Sequence, residues 1–167
     1  VTVRVKRRVD ATLADFGLVR ELRDCVTSAV ADGAHLIVSG GTSSGKTTLL
    51  NLLLEEIPAD RRLFIMEDTE ELVVPHKNVT RRVLARNETG TAVGYPEVFD
   101  NAMRSRPDHI LLGELSIDNT QPALRLLNSG HRGFCATLHA DSPELALDEA
   151  FYQNLALGGH RGLDPDY

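Results

Sequence analysis

Two cysteines and few aromatic residues (5%) set the first limits on this 167-residue chain. Cys25 and Cys135 are too few, and too far apart, for a disulfide framework or a cysteine metal cluster, which points to a reduced, cytoplasmic setting. No apolar run approaches the roughly 20 residues of a membrane span, and no signal-peptide pattern opens the sequence. Any membrane association is therefore expected to be peripheral and to come through partners. Positive charge is also short, with 18 Lys and Arg against 24 Asp and Glu. A net charge of −6 disfavours a surface built to coat nucleic acid or anionic lipid. No basic, aromatic-interleaved stretch suggests a DNA motor. Internal repeats and low-complexity tracts are absent, and the length suits one domain with a real core.

What is present centres on His35 to Leu50. A short apolar run, His35-Leu36-Ile37-Val38, stops at a glycine-rich loop, and an amphipathic segment follows. Gly40, Gly45, Lys46 and Thr47 fall on the G-x-x-x-x-G-K-[ST] spacing of the phosphate-binding P-loop. Glycines let main-chain N–H groups converge on an anion, and the helix N-terminus adds its positive end. Gly41, Thr42, Ser43, Ser44, Gly45, Lys46, Thr47 and Thr48 are thus the candidate nucleotide-binding residues. Lys46 is expected to reach the β- and γ-phosphates of ATP, and the Thr47 hydroxyl to ligate Mg²⁺.

Along the chain, Val1–Val9 alternates apolar and basic residues as an edge strand or extended linker does. Leu18, Leu22, Val26 and Val30 form a helical stripe ending at Gly33. The leucine-rich helix after the P-loop closes by Pro58, and residues 62–66 read as the next strand. Strands are also expected over Leu72–Val74 and Val79–Leu84, with a loop over Asn87–Gly94. A helix follows from Pro96 to about Ser105, a buried strand over His109–Leu112, and a helix over Gln121–Asn128. A strand over Phe134–Leu138 presents His139, and one helix runs from the Ser142-Pro143-Glu144 cap to Gly158-Gly159. The alternation predicts an α/β fold, a mostly parallel sheet with helices on both faces.

Ligands of such sheets collect at the carboxyl ends of strands, which makes the residues there candidates. Glu114, directly after a buried strand, could hold the water shell of the metal or act as the base that water needs to attack a γ-phosphate. Glu67 and Asp68 form a second acidic pair, with Glu70 and Glu71 continuing the run; neighbours on a strand point to opposite faces, so one of the pair should face the nucleotide. His139 could donate to the γ-phosphate or report its loss. Arg81, Arg82, Arg86, Arg104 and Arg106 are available for transition-state charge.

These pieces together resemble the secretion ATPases, which drive type IV secretion and conjugation, type II secretion and type IV pili. The P-loop of that family reads close to G-G-T-G-S-G-K-T-T, matched by Gly40 to Thr48 except that Ser43 replaces a glycine. An acidic box like I-E-D-T-x-E-L is matched from Met66 to Leu72, and R-P-D-x-I-x-x-G-E by Arg106 to Glu114. A histidine box is matched at Gly130, His131, Gly133, Thr137, His139, Ala140 and Ser142, with Ser129 in the threonine position. The nearest branch is similar to the VirB11-type, conjugation and tight-adherence ATPases.

The resemblance implies a RecA-like P-loop core and Mg-dependent ATP hydrolysis, with Glu114, Glu67, His139 and Lys46 in the catalytic set and Thr47 and Glu114 at the metal. It also implies a homo-hexamer with nucleotide held against an N-terminal domain that supplies arginines, and inner-membrane secretion, conjugation or pilus components as partners, with no direct nucleic acid. On that pattern, residues 1–17 form a linker from such a domain, and residues 18–167 form the ATPase domain without most of the family's C-terminal helices. Two positions depart from the pattern. After Gly-Glu the family carries an arginine and, three residues on, a glutamate, where this chain has Ser116 and Asn119. Losing both charges together points to an ion pair removed as a unit, with the pocket left whole. Asp141 stands where asparagine is common. The expected function is an ATPase motor; the alternative is a nucleotide-binding assembly module with negligible turnover.

Overall fold

A computed structural model describes residues 10–84 and 94–159. Val1–Val9, Arg86 and most of the Asn87–Gly94 loop lie outside the described residues. Five strands, β1 (Leu36–Gly40), β2 (Leu63–Glu67), β3 (Val79–Val83), β4 (His109–Leu112) and β5 (Phe134–His139), form one sheet in the order β1-β5-β4-β2-β3. Every pairing is parallel, with Val38 opposite Thr137, Leu111 opposite Cys135 and Ile65 opposite Leu111. All five strands therefore end at the same edge, where Gly40, Glu67 and His139 emerge together.

Both faces are covered. One side chain of each adjacent pair goes to each face, so a strand buried on both sides is apolar throughout. Leu63, Ile65, Leu111 and Cys135 pack toward α1 (Arg20–Ala31) and α2 (Lys46–Leu54), meeting Val30, Leu50, Leu53 and Leu54. Phe64, Met66, Ile110, Leu112, Phe134 and Ala136 pack toward α3 (Tyr95–Ser105) and α4 (Thr120–Leu127), meeting Val98, Phe99, Ala123 and Leu126. Burial pushes the Cys135 thiol up to about 12, so it stays protonated within the core, while Cys25 is exposed on α1. No helix among the described residues is long and apolar enough to cross a membrane.

The structure departs from the expected elements in two places. Leu72–Val74 is not a strand. Its main-chain groups are taken by side chains: Leu72 N donates to Glu67 Oε2 at 3.0 Å, Val73 N to Asn51 Oδ1 at 2.9 Å, and Arg81 Nη2 donates to Leu72 O at 3.0 Å. The final helix runs unbroken as expected, but it is not α throughout. Leu145 N donates to Ser142 Oγ at 3.2 Å, capping a short α5 (Pro143–Leu145). A wide π turn over Ala146–Ala150 then precedes α6 (Phe151–Leu157).

Candidate functional site

A cleft of about 760 Å³ opens at the carboxyl edge of the sheet. The P-loop forms one wall. Gly45, at φ +92°, turns the chain into α2 in a conformation that side-chain-bearing residues avoid, and Phe16 packs against it from below. Thr42, Ser43, Ser44, Gly45, Lys46, Thr47 and Thr48 all line the cleft. A Cβ added at Gly41, the one P-loop candidate not lining the cleft, would lie 3.5 Å from Asp141 Oδ1, which brings that carboxylate to the edge of the loop. Ser43, the residue in a glycine position of the motif, has φ +60°.

The other wall carries Glu114 and His139, and they are joined to the P-loop. Lys46 Nζ donates to Gly41 O at 2.8 Å and lies 3.3 Å from His139 Nδ1. His139 Nε2 lies 2.9 Å from Glu114 Oε1. An ammonium can only donate, so Nδ1 of His139 accepts and Nε2 carries the proton toward Glu114. Lys46, His139 and Glu114 thus form one chain across the cleft. His139 and Glu114 are half-exposed and accessible to a ligand.

The acidic box is arranged differently from the two-face expectation. Glu67 and Asp68 both line the cleft, because β2 ends at Glu67 and the chain turns there. Glu67 is buried at 1% exposure. Its carboxylate pairs with Arg81 and accepts from Glu71 N and Leu72 N at 3.3 and 3.0 Å, fixing the loop that follows. Asp68 accepts from the Tyr95 hydroxyl. Glu71 is brought to the P-loop, where Thr47 Oγ1 donates to its Oε2 at 3.4 Å. Glu71 and Tyr95 were not singled out by the sequence; Glu71 reads there as one more acid in a run, and nothing local marks Tyr95.

Among the described residues lining this cleft there is no arginine. Arg81 is turned to Glu67, Arg82 and Arg104 are exposed elsewhere, and Arg106 borders a second cavity of about 380 Å³ at the opposite edge of the sheet. His131 borders that cavity too, bonded to Ser129 Oγ at 2.7 Å. The histidine box is thus divided by the length of β5. At the two departing positions the main-chain N of Ser116 donates to Asn119 Oδ1 at 2.9 Å.

The donor set suits Mg²⁺. Thr47, Glu71, Asp68 and Glu114 offer only hard oxygens, and no three acidic, histidine or cysteine side chains converge as a cage among the described residues. Magnesium retains water and binds through one or two protein oxygens plus phosphate, so a cage is not required. Thr47 and Glu71, in contact at 3.4 Å, are the residues that would hold it. Glu114 lines the same cleft, with His139 as its partner at 2.9 Å.

A parallel sheet covered on both faces, with a P-loop and acidic strand ends facing one cleft, defines a RecA-like P-loop core. Residues 1–149 match the family model described as "Type II/IV secretion system protein", and the chain belongs to that family. It is 39% identical over 125 residues to the type IV secretion system protein VirB11 of Bartonella henselae, covering 74% of this chain and 35% of that protein. It is 34% identical over 170 residues to a putative conjugal transfer protein of Mycobacterium tuberculosis, covering 98% and 47%. Its fold is similar to that of the VirB11 ATPase of the Brucella suis type IV secretion system in complex with sulphate, with TM-score 0.69, 30% identity and 92% of this chain against 42% of that one. The chain spans less than half the length of each of these relatives.

Proposed function

We propose that this chain is the ATP-hydrolysing core of a motor serving a type IV secretion, conjugation or pilus machine, working as a ring of six copies at the cytoplasmic face of the membrane through partner proteins. The observation that carries the reading is the chain Lys46–His139–Glu114 across one cleft. That a relative at 30% identity is named an ATPase and was solved with sulphate, a tetrahedral oxyanion, supports it. Main-chain amides of 41–47 hold the phosphates, and Lys46 meets the terminal ones. Magnesium, when bound, neutralises charge between the β- and γ-phosphates. His139 holds Glu114 through Oε1, directing Oε2 toward water beside the γ-phosphate. Glu114 takes one proton from that water as its oxygen attacks phosphorus. The bond from phosphorus to the bridging oxygen breaks, and ADP and phosphate leave. Glu67 acts at one remove, holding the loop that presents Asp68 and Glu71.

Steady-state ATP hydrolysis measured against protein concentration tests catalysis and ring dependence together. Glu114→Gln is expected to cut turnover by about 100-fold or more, the range of general base catalysis, while ATP binding stays within roughly threefold. A parent chain that binds ATP with no turnover to lose would instead be an assembly module.

A further inference from the structure

Glu114 follows the last residue of β4 by two positions, beyond the ladder that would hold its main chain, yet that main chain is tied on both sides. Gly113 N donates to Met66 O at 2.8 Å, and Gly113 O accepts from Thr137 Oγ1 at 2.7 Å. Glu114 O accepts from Asn119 Nδ2 at 2.9 Å. Leu115 N donates to Thr137 O at 2.8 Å, and Ser116 N to Asn119 Oδ1 at 2.9 Å. Two buried polar side chains, Asn119 at 1% exposure and Thr137 at 3%, supply three of these five bonds. We propose that Asn119 and Thr137 are positioning residues that hold the peptide units flanking Glu114, so that its carboxylate stays aimed at the cleft.

The placement of each side chain argues against an ordinary structural role. Asn119 stands at the N-cap of α4, where an asparagine normally accepts from the helix's own first amides. It makes no such cap bond and turns back to residues 114 and 116. Only a side chain with a donor and an acceptor on one short planar group can bridge a carbonyl and an N–H two residues apart, and asparagine is that group. Thr137 is the polar residue in a run of Phe134, Cys135, Ala136 and Leu138, all buried. Valine would fill the same space, so the hydroxyl is explained by its bond to Gly113 O. The side-chain half of the arrangement is His139 on Glu114 Oε1. Main chain and side chain of Glu114 are then fixed by separate residues.

This role rests on the reading of Glu114 as the group that activates water, and the experiment separates the two. Thr137→Val and Asn119→Asp are each expected to lower kcat about tenfold, the order expected from one lost buried hydrogen bond, with the Kd of a fluorescent ATP analogue unchanged within about twofold. Neither should lower the residual rate further once Glu114 is glutamine. Unchanged kcat in the folded Thr137→Val variant, or an undiminished loss in the Glu114→Gln background, overturns the proposal. Amide hydrogen exchange provides the arm that needs no turnover. The Ser116 amide should exchange slowly in the parent chain and at least about tenfold faster in Asn119→Ala, the lost bond opening it to solvent. A Ser116 amide already fast in the parent overturns the proposal whether or not the chain hydrolyses ATP; a slow one in a chain without turnover sinks only the reading of Glu114.

Discussion

Among the described glycines, Gly133 is the one where a side chain fits least, and Gly130, three residues before it, provides the control. Both have left-handed backbone, φ +68° and +82°. A Cβ on Gly130 would meet nothing within 4 Å, whereas one on Gly133 would lie 2.5 Å from His109 Cδ2 and 2.8 Å from Asp108 O. Neither obstacle moves easily. The His109 ring is 2% exposed and bonded to Val30 O at 3.1 Å. Gly133 itself donates to Gly33 O at 2.7 Å and accepts from Ile110 N at 3.0 Å. Gly130→Ala therefore carries only the backbone term, about 1–2 kcal/mol. Gly133→Ala adds overpacking of about 1–3 kcal/mol, for roughly 2–5 in all. At about 2–4 °C per kcal/mol for a chain of this size, the melting temperature should fall by about 4–20 °C for Gly133→Ala and by about 2–8 °C for Gly130→Ala. Urea denaturation of both variants, read by circular dichroism, gives the difference directly. Equal losses would refute the argument, because the collision at His109 would then have no energetic consequence.

Ser43→Gly should act in the opposite direction. Relieving φ +60° recovers about 1–2 kcal/mol, less about 0.5–1 for the greater freedom of glycine when unfolded. The melting temperature measured without nucleotide should rise by a few degrees; a fall would mean that the Ser43 side chain contributes contacts that outweigh the strain. Acid sensitivity follows from two histidines. Burial lowers the pKa of His109 and of His35, with Arg132 adding to the effect at His35. The unfolded chain then takes up protons that the folded chain refuses, so stability is complete above about pH 6.5 and declines as pH falls below it. The urea midpoint should drop between pH 7 and pH 5.5, and His109→Gln should flatten that drop; equal slopes in the two proteins would rule out His109 as a source.

The P-loop, the parallel α/β architecture and Glu114's place at a strand end are legible in the sequence because each is written locally. Spacing around Lys46 sets a turn and a helix start, and an apolar run of three residues, Ile110 to Leu112, leading into Gly113-Glu114 announces a buried strand with an acid at its tip. What escaped notice depends on which way a side chain turns once distant segments meet. Leu72 and Val73 look like strand residues, but the carboxylate of Glu67 and the amide of Asn51 claim their N–H groups first. Glu71 is indistinguishable from Glu70 until the loop folds and brings it to Thr47. Ser116 and Asn119 are visible as a departure from a charged pattern, and only the structure shows the Asn119 amide bonded to the main chain of residues 114 and 116.

The six residues of β5 extend for roughly 20 Å at the usual rise per residue, and all but the last are buried. On one side of the domain the strand begins beside His131, and on the other it delivers His139 to Lys46 and Glu114. Close-packed interiors hardly compress, so such a strand behaves as a rod. A neighbour leaning on the turn at 130–133 would move the far histidine only as far as the rungs to β1 and β4 shear, or as the sheet shifts with the strand. One buried strand thus ties the rim beside His131 to the rim where the candidate cleft opens.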